Sequence, residues 1–96
     1  MTPTGVAPGM VHEELQRASE ELQAAAEVAD GEERERLEGQ AEAFAKLAES
    51  GTDHGRLARH ENALREIKAA TGETVGEHVD AAMASITAYR ETLDGV

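Results

Sequence analysis

Histidine and carboxylate are the residue types in this chain that most readily suggest chemistry: four His and twenty Asp or Glu occur among 96 residues. A Glu three positions ahead of a His puts both on one helix face, the arrangement of carboxylate-bridged di-metal sites. Here the residues three before His12, His54, His60 and His78 are Gly9, Gly51, Leu57 and Val75, so that pattern is missing. The zinc motif His-Glu-x-x-His is missing too, because His12-Glu13 and His60-Glu61 each lack the second His. A looser set of His12, Glu49, Asp53, His54 and His60 would gather only where the ends of several helices meet. No metal ligands are assigned, and no cofactor is expected.

The second chemistry is cationic. Arg56, Arg59 and His60, with Arg65 further on, form the one basic cluster in a chain of net charge −11. With His54 just ahead, the group becomes His54, Arg56, Arg59 and His60. Guanidinium forks match carboxylates and phosphates, and a helix starting at this point would add the positive end of its dipole. These four residues are therefore the candidate anion- or ligand-binding site, as a metal or anion binder using the His54–His60 region. The opposing expectation is that the arginines pair with nearby acids such as Asp53 and Glu66. Catalysis is not expected. Ser19, Ser50 and Ser85 lack a glycine-framed nucleophile elbow, no glycine-rich phosphate loop is present, and there is no cysteine. Nucleic acid is not an expected direct partner, since the net charge repels phosphates and only Phe44 and Tyr89 are aromatic.

Four segments with helical spacing must position these groups. Residues 1–9 (MTPTGVAPG) hold both prolines and no periodicity, and read as a flexible tail. Residues 10–96 form a single domain. The first helix is expected from about Met10 to Ala29, with Val11, Leu15, Ala18, Leu22, Ala25 and Ala29 on one face. Asp30-Gly31 interrupts it, and Asp30 with Glu33 reads as a capping box for a second helix reaching Ser50. One long helix running through Asp30-Gly31 is the alternative. The second helix carries Leu37, Ala41, Phe44 and Ala48, with Gly51 placed to end it.

Asp53 is expected to cap the third helix, which carries Leu57, Leu64 and Ile67 and ends near Thr71-Gly72. Thr74 with Glu77 predicts a capping box for the fourth, whose stripe is Val75, Val79, Ala82, Ile86, Tyr89 and Leu93. Glu13–Arg17, Glu32–Arg36, Glu42–Lys46 and Glu61–Arg65 stand four apart, as solvated helix faces do. Short connections predict an all-α fold: two αα-hairpins forming an antiparallel four-helix bundle. The stripes are narrow, so a homodimer or a partner helix is expected to complete the core.

Composition speaks to environment. The apolar set is 18 Ala plus 20 larger residues, suited to close helix packing, and seven of the nine bases are Arg. A charge of −11 repels itself within a compact radius, and molar salt shortens the Debye length to about 3 Å, removing most of that cost. A protein adapted to concentrated salt is expected. Residues 1–9 lack the basic start and apolar core of a signal peptide. The uncharged stretch 81–89 is far short of a membrane span, so a cytoplasmic location without membrane contact is expected.

From Asp53 to Lys68 the chain reads DHGRLARHENALREIK, and near its end it reads Ile86-Thr87-Ala88-Tyr89-Arg90-Glu91-Thr92. With the helical half ahead of them, these stretches resemble a family of small, acidic, uncharacterised proteins from salt-loving archaea. The likeness covers nearly all of the chain after the first ten residues. It implies origin and compartment and carries no activity. The function expected from the residues is a structural or protein–protein interaction module.

Overall fold

A computed structural model describes residues 12–93 and holds four helices: α1 Glu13–Val28, α2 Gly31–Ser50, α3 His54–Ala69 and α4 Glu73–Arg90. No strand occurs among the described residues, and the protein is all-α. The expected tail, with Met10 and Val11, lies outside the described residues. No described helix is long and apolar enough to cross a membrane.

Helix boundaries follow local chemistry, with two corrections. Ala29 and Asp30 both take extended backbone, at φ −99° and −126°, so the single long helix is not formed. Asp30 holds the N-cap position of α2, yet its side chain makes no capping hydrogen bond, and the box with Glu33 is absent. The Thr74–Glu77 box fails because α4 starts at Glu73 with Gly72 as N-cap, which puts Thr74 inside the first turn. Asp53 does cap α3, accepting the Arg56 backbone N–H at 2.8 Å. Gly51 ends α2 at φ 80° and ψ 170°, a region reserved almost wholly to glycine. A Cβ there would stand 3.0 Å from His12 Nε2 and 3.4 Å from the Tyr89 hydroxyl. Backbone and space both demand Gly.

The predicted stripes become one buried core. Leu15, Ala18, Leu22, Ala25 and Ala29 of the first stripe meet Leu37, Ala41, Phe44 and Ala48 of the second. Leu57, Leu64 and Ile67 enter from α3, and Val75, Val79, Ala82, Ile86 and Tyr89 from α4. Leu93, Leu47 and Met83 pack partly against it. Val28 is the one large apolar side chain exposed among the described residues.

Side-chain size sets how closely the helices approach. α1 lies along both α2 and α4, whereas α3 stands further from its neighbours α4 and α2. The buried face of α1 includes Ala18, Ser19, Ala25 and Ala26, which let backbones come near. The Ser19 hydroxyl sits close enough to α2 to donate to the Ala41 carbonyl at 2.7 Å. The buried face of α3 is Leu57, Glu61, Leu64 and Ile67, all longer side chains that hold the helix off.

Ile86 is fully buried and Glu20 is exposed. Ile86→Ala should cost about 2–5 kcal/mol in denaturant titrations, and Glu20→Gln should stay within about 0.5 kcal/mol. Equal losses from the two would contradict the assigned faces.

Candidate functional site

The site residues sit on the first two turns of α3, and helix geometry separates them. Positions 56, 59 and 60 share one side, while 54, 57, 61 and 64 share another. Arg56, Arg59 and His60, together with Gln40 of α2, line an open hollow of about 510 Å³ between the two helices. His54 does not line it. Three of the four expected residues are thus brought together and the fourth is directed elsewhere.

His60 joins α3 to α2. Its Nδ1 lies 2.8 Å from Gln40 Oε1, and its ring tilts against Phe44 with centroids 4.9 Å apart. Because the Gln40 oxygen can only accept, Nδ1 carries the hydrogen in this pair. Burial lowers the His60 pKa from its ordinary 6.5, since the charged imidazolium loses hydration there. Arg56 and Arg59 are exposed, and neither guanidinium has a carboxylate within 4 Å among the described residues. The expected pairing with Asp53 and Glu66 does not occur. Asp53 takes the Arg56 backbone N–H, and Glu66 faces Arg36 at 3.8 Å.

His54 belongs to a different arrangement, a polar latch between α3 and α4. Arg90 Nε donates to His54 Nδ1 at 3.0 Å, and the same guanidinium donates to Glu61 Oε1 at 2.9 Å. Glu61 is only 7% exposed and occupies a core position of α3. The expected surface pair Glu61–Arg65 is therefore replaced, and Arg65 instead donates to Asn62 at 3.0 Å. Glu13–Arg17, Glu32–Arg36 and Glu42–Lys46 also form no ion pair among the described residues. Their spacing permits contact without enforcing it, and exposed pairs gain little from closing.

Beside the latch, several helix ends gather. The His12 backbone N–H donates to the Ala48 carbonyl at 2.7 Å, and the His12 ring meets Tyr89 edge-on at 5.3 Å. The Tyr89 hydroxyl accepts the Thr52 N–H at 3.2 Å. The two stretches Asp53–Lys68 and Ile86–Thr92 thus meet through Arg90. His12 and His54 do come to this end, but among the described residues no three His, Asp or Glu stand together as metal ligands. Arg90 takes the lone pair of His54 Nδ1, which leaves the buried, unpartnered Nε2 to carry the ring hydrogen.

Sequence alone assigns no site role to Gln40 or Arg90 and reads Glu61 as a solvated partner of Arg65. Glu61 carried one signal: it falls four residues after Leu57 and three before Leu64, on the stripe itself. Gln40 and Arg90 carried none, because their partners lie 20 and 29 or more residues away.

With an open hollow lined by two arginines that have no described carboxylate within 4 Å, the four helices place the chain in the all-helical class. The chain belongs to a family of unknown function (DUF7553), which matches residues 10–92. No curated protein and no solved structure matches it.

Arg90→Met should destabilise by about 2–4 kcal/mol, since it strands the buried Glu61 charge. Glu61→Gln should cost less than about 1.5 kcal/mol, because Arg90 is one-third exposed and can turn to water. The reverse order in urea titrations would show that the latch is not held this way.

His60 supplies a pH dependence of known sign. Its folded pKa lies below the unfolded 6.5, so the unfolded chain binds the proton more readily. The stability it contributes is complete above about pH 6.5 and is lost as pH falls through the folded pKa. Thermal melts between pH 5 and 8 should show this loss, and His60→Gln should flatten that part of the curve. An identical slope in the variant would exclude His60 as its source.

Proposed function

We propose that the protein is a non-enzymatic interaction module, an antiparallel four-helix bundle that holds an acidic partner at the hollow between α2 and α3. The antiparallel order is supported by contacts whose numbers run in opposite senses. His12 meets Ala48 and Ser19 meets Ala41 between α1 and α2. Gln40 meets His60 and Arg36 meets Glu66 between α2 and α3. Lys68 meets Asp80 and His54 meets Arg90 between α3 and α4, while His12 meets Tyr89 and Glu21 meets His78 between α1 and α4.

One observation carries the functional reading. In a chain with twenty carboxylates, Arg56 and Arg59 edge the same hollow and neither has a described carboxylate within 4 Å. A second copy of the chain is the simplest acidic partner, because it carries the same glutamate-rich faces; another acidic helix would present the same groups. The setting that suits this is cytoplasm rich in salt, as in a salt-loving archaeon. Two chains of −11 repel at long range, but at molar salt the Debye length is about 3 Å. A guanidinium–carboxylate hydrogen bond of about 2.8 Å is short enough to survive that screening.

Sedimentation equilibrium in molar KCl tests the reading. Wild type should associate, and Arg56→Gln/Arg59→Gln should weaken association about tenfold, roughly 1.4 kcal/mol. A wild-type chain that stays monomeric and captures no acidic helical peptide would sink it. Thermal stability should also rise between about 0.1 M and molar KCl as self-repulsion is screened; a constant melting temperature would refute the adaptation to salt.

A further inference from the structure

We infer that the α2–α3 hollow is an oxyanion site that takes a tetrahedral dianion of the sulfate and phosphate class, and that His60 takes up a proton when it binds. The inference depends on the hollow being the working face proposed above, but not on any protein partner.

Donor geometry selects the ligand class. Arg56 and Arg59 lie three apart on α3 and line the hollow together. Each guanidinium presents a planar fork that fills both oxygens of one carboxylate. A single carboxylate that takes one fork keeps only its outer lone pairs and a single charge for the second arginine. A tetrahedral anion offers three or four oxygens and can meet both forks. Two fixed positive charges also match two negative ones. Gln40 adds a further donor: with its oxygen taken by His60 Nδ1 at 2.8 Å, its amide nitrogen keeps both hydrogens.

The coupling to a proton follows from the surroundings of His60. From α2 it is met by Gln40 and Phe44, both uncharged. From its own helix the neighbours lining the hollow are Arg56 and Arg59. Elsewhere along the seam, Arg36 and Glu66 face each other, and the α4 charge at Arg90 is engaged by His54 and Glu61. No described carboxylate lies within 4 Å of His60. With Nδ1 already carrying its hydrogen toward Gln40, Nε2 is the nitrogen that accepts a second proton. Burial favours the neutral His60 ring while the hollow is empty. A dianion in the hollow supplies the missing countercharge and favours the imidazolium.

Sulfate is the suitable probe, because it stays a dianion across the range in which His60 titrates. Calorimetric titration of the full chain at constant ionic strength should show saturable sulfate binding that tightens several-fold, about three- to tenfold, from pH 8 to pH 5.5. His60→Gln should retain binding and lose the pH dependence. Arg56→Gln/Arg59→Gln should weaken binding at least about tenfold with an unchanged melting temperature. Phosphate at pH 8 should bind like sulfate. Phosphoserine binding more tightly than inorganic phosphate would place the group on a protein partner, and equal binding would mark a free ion; both agree with the inference. Acetate binding as tightly as sulfate, no saturable sulfate binding, or pH-independent binding by wild type would each overturn it. Should sulfate fail while arginine-dependent association persists, this inference alone falls. Failure of both removes the hollow as the working face.

Discussion

The closeness of α1 to α2 and α4 is the constraint on which the rest of the molecule depends. It is possible because the buried face of α1 is largely Ala and Ser, with leucines only at positions 15 and 22. Small side chains let neighbouring backbones come near enough for the Ser19 hydroxyl to reach the Ala41 carbonyl. Once α1 is clamped on two sides, its start lies against the end of α2, and His12 is held by Ala48 on one side and Tyr89 on the other. Gly51 answers that crowding, because a Cβ there would press on the His12 ring at 3.0 Å and the backbone has φ 80°.

Helix α3 is attached on different terms. Its buried side chains are longer, so it sits off its neighbours and is tied by polar contacts near its ends as well as by packing. Arg90 fastens its first turns to α4, and the His60–Gln40 contact fastens it to α2. The gap that results on the α2 side is the hollow edged by Arg56 and Arg59. The looser packing that leaves α3 dependent on hydrogen bonds also creates the recess proposed to bind an anion.

Charge gives that recess its significance. The surface is dominated by carboxylates; Arg34–Glu38, Arg36–Glu66 and Lys68–Asp80 pair, while Arg17, Lys46 and Arg65 do not among the described residues. Arg56 and Arg59 are also without a described carboxylate partner, and they alone of these line a hollow together. Asn62 and Ala63 stand three and four residues after Arg59, where acids would have neutralised the patch, and Asp53 is occupied with the helix start. A local field of opposite sign on an acidic protein is a means of selecting partners by charge.

Periodicity alone determined the four helices, their faces and nearly all of the core, because burial of an apolar stripe is a property each segment carries within itself. The caps were legible only where one geometry was available. Asp53 caps α3 as its spacing predicts, whereas Asp30 holds the start of α2 without a side-chain bond and Gly72 takes the N-cap of α4 ahead of Thr74. Arg56, Arg59 and His60 could be grouped from spacing, since they lie on one helix face. The removal of His54 from that group, the burial of Glu61 and the entry of Gln40 were decided by tertiary structure. Each rests on a partner from a distant helix, and hydrogen bonds between helices depend on how far apart the backbones settle, a distance that no single segment encodes.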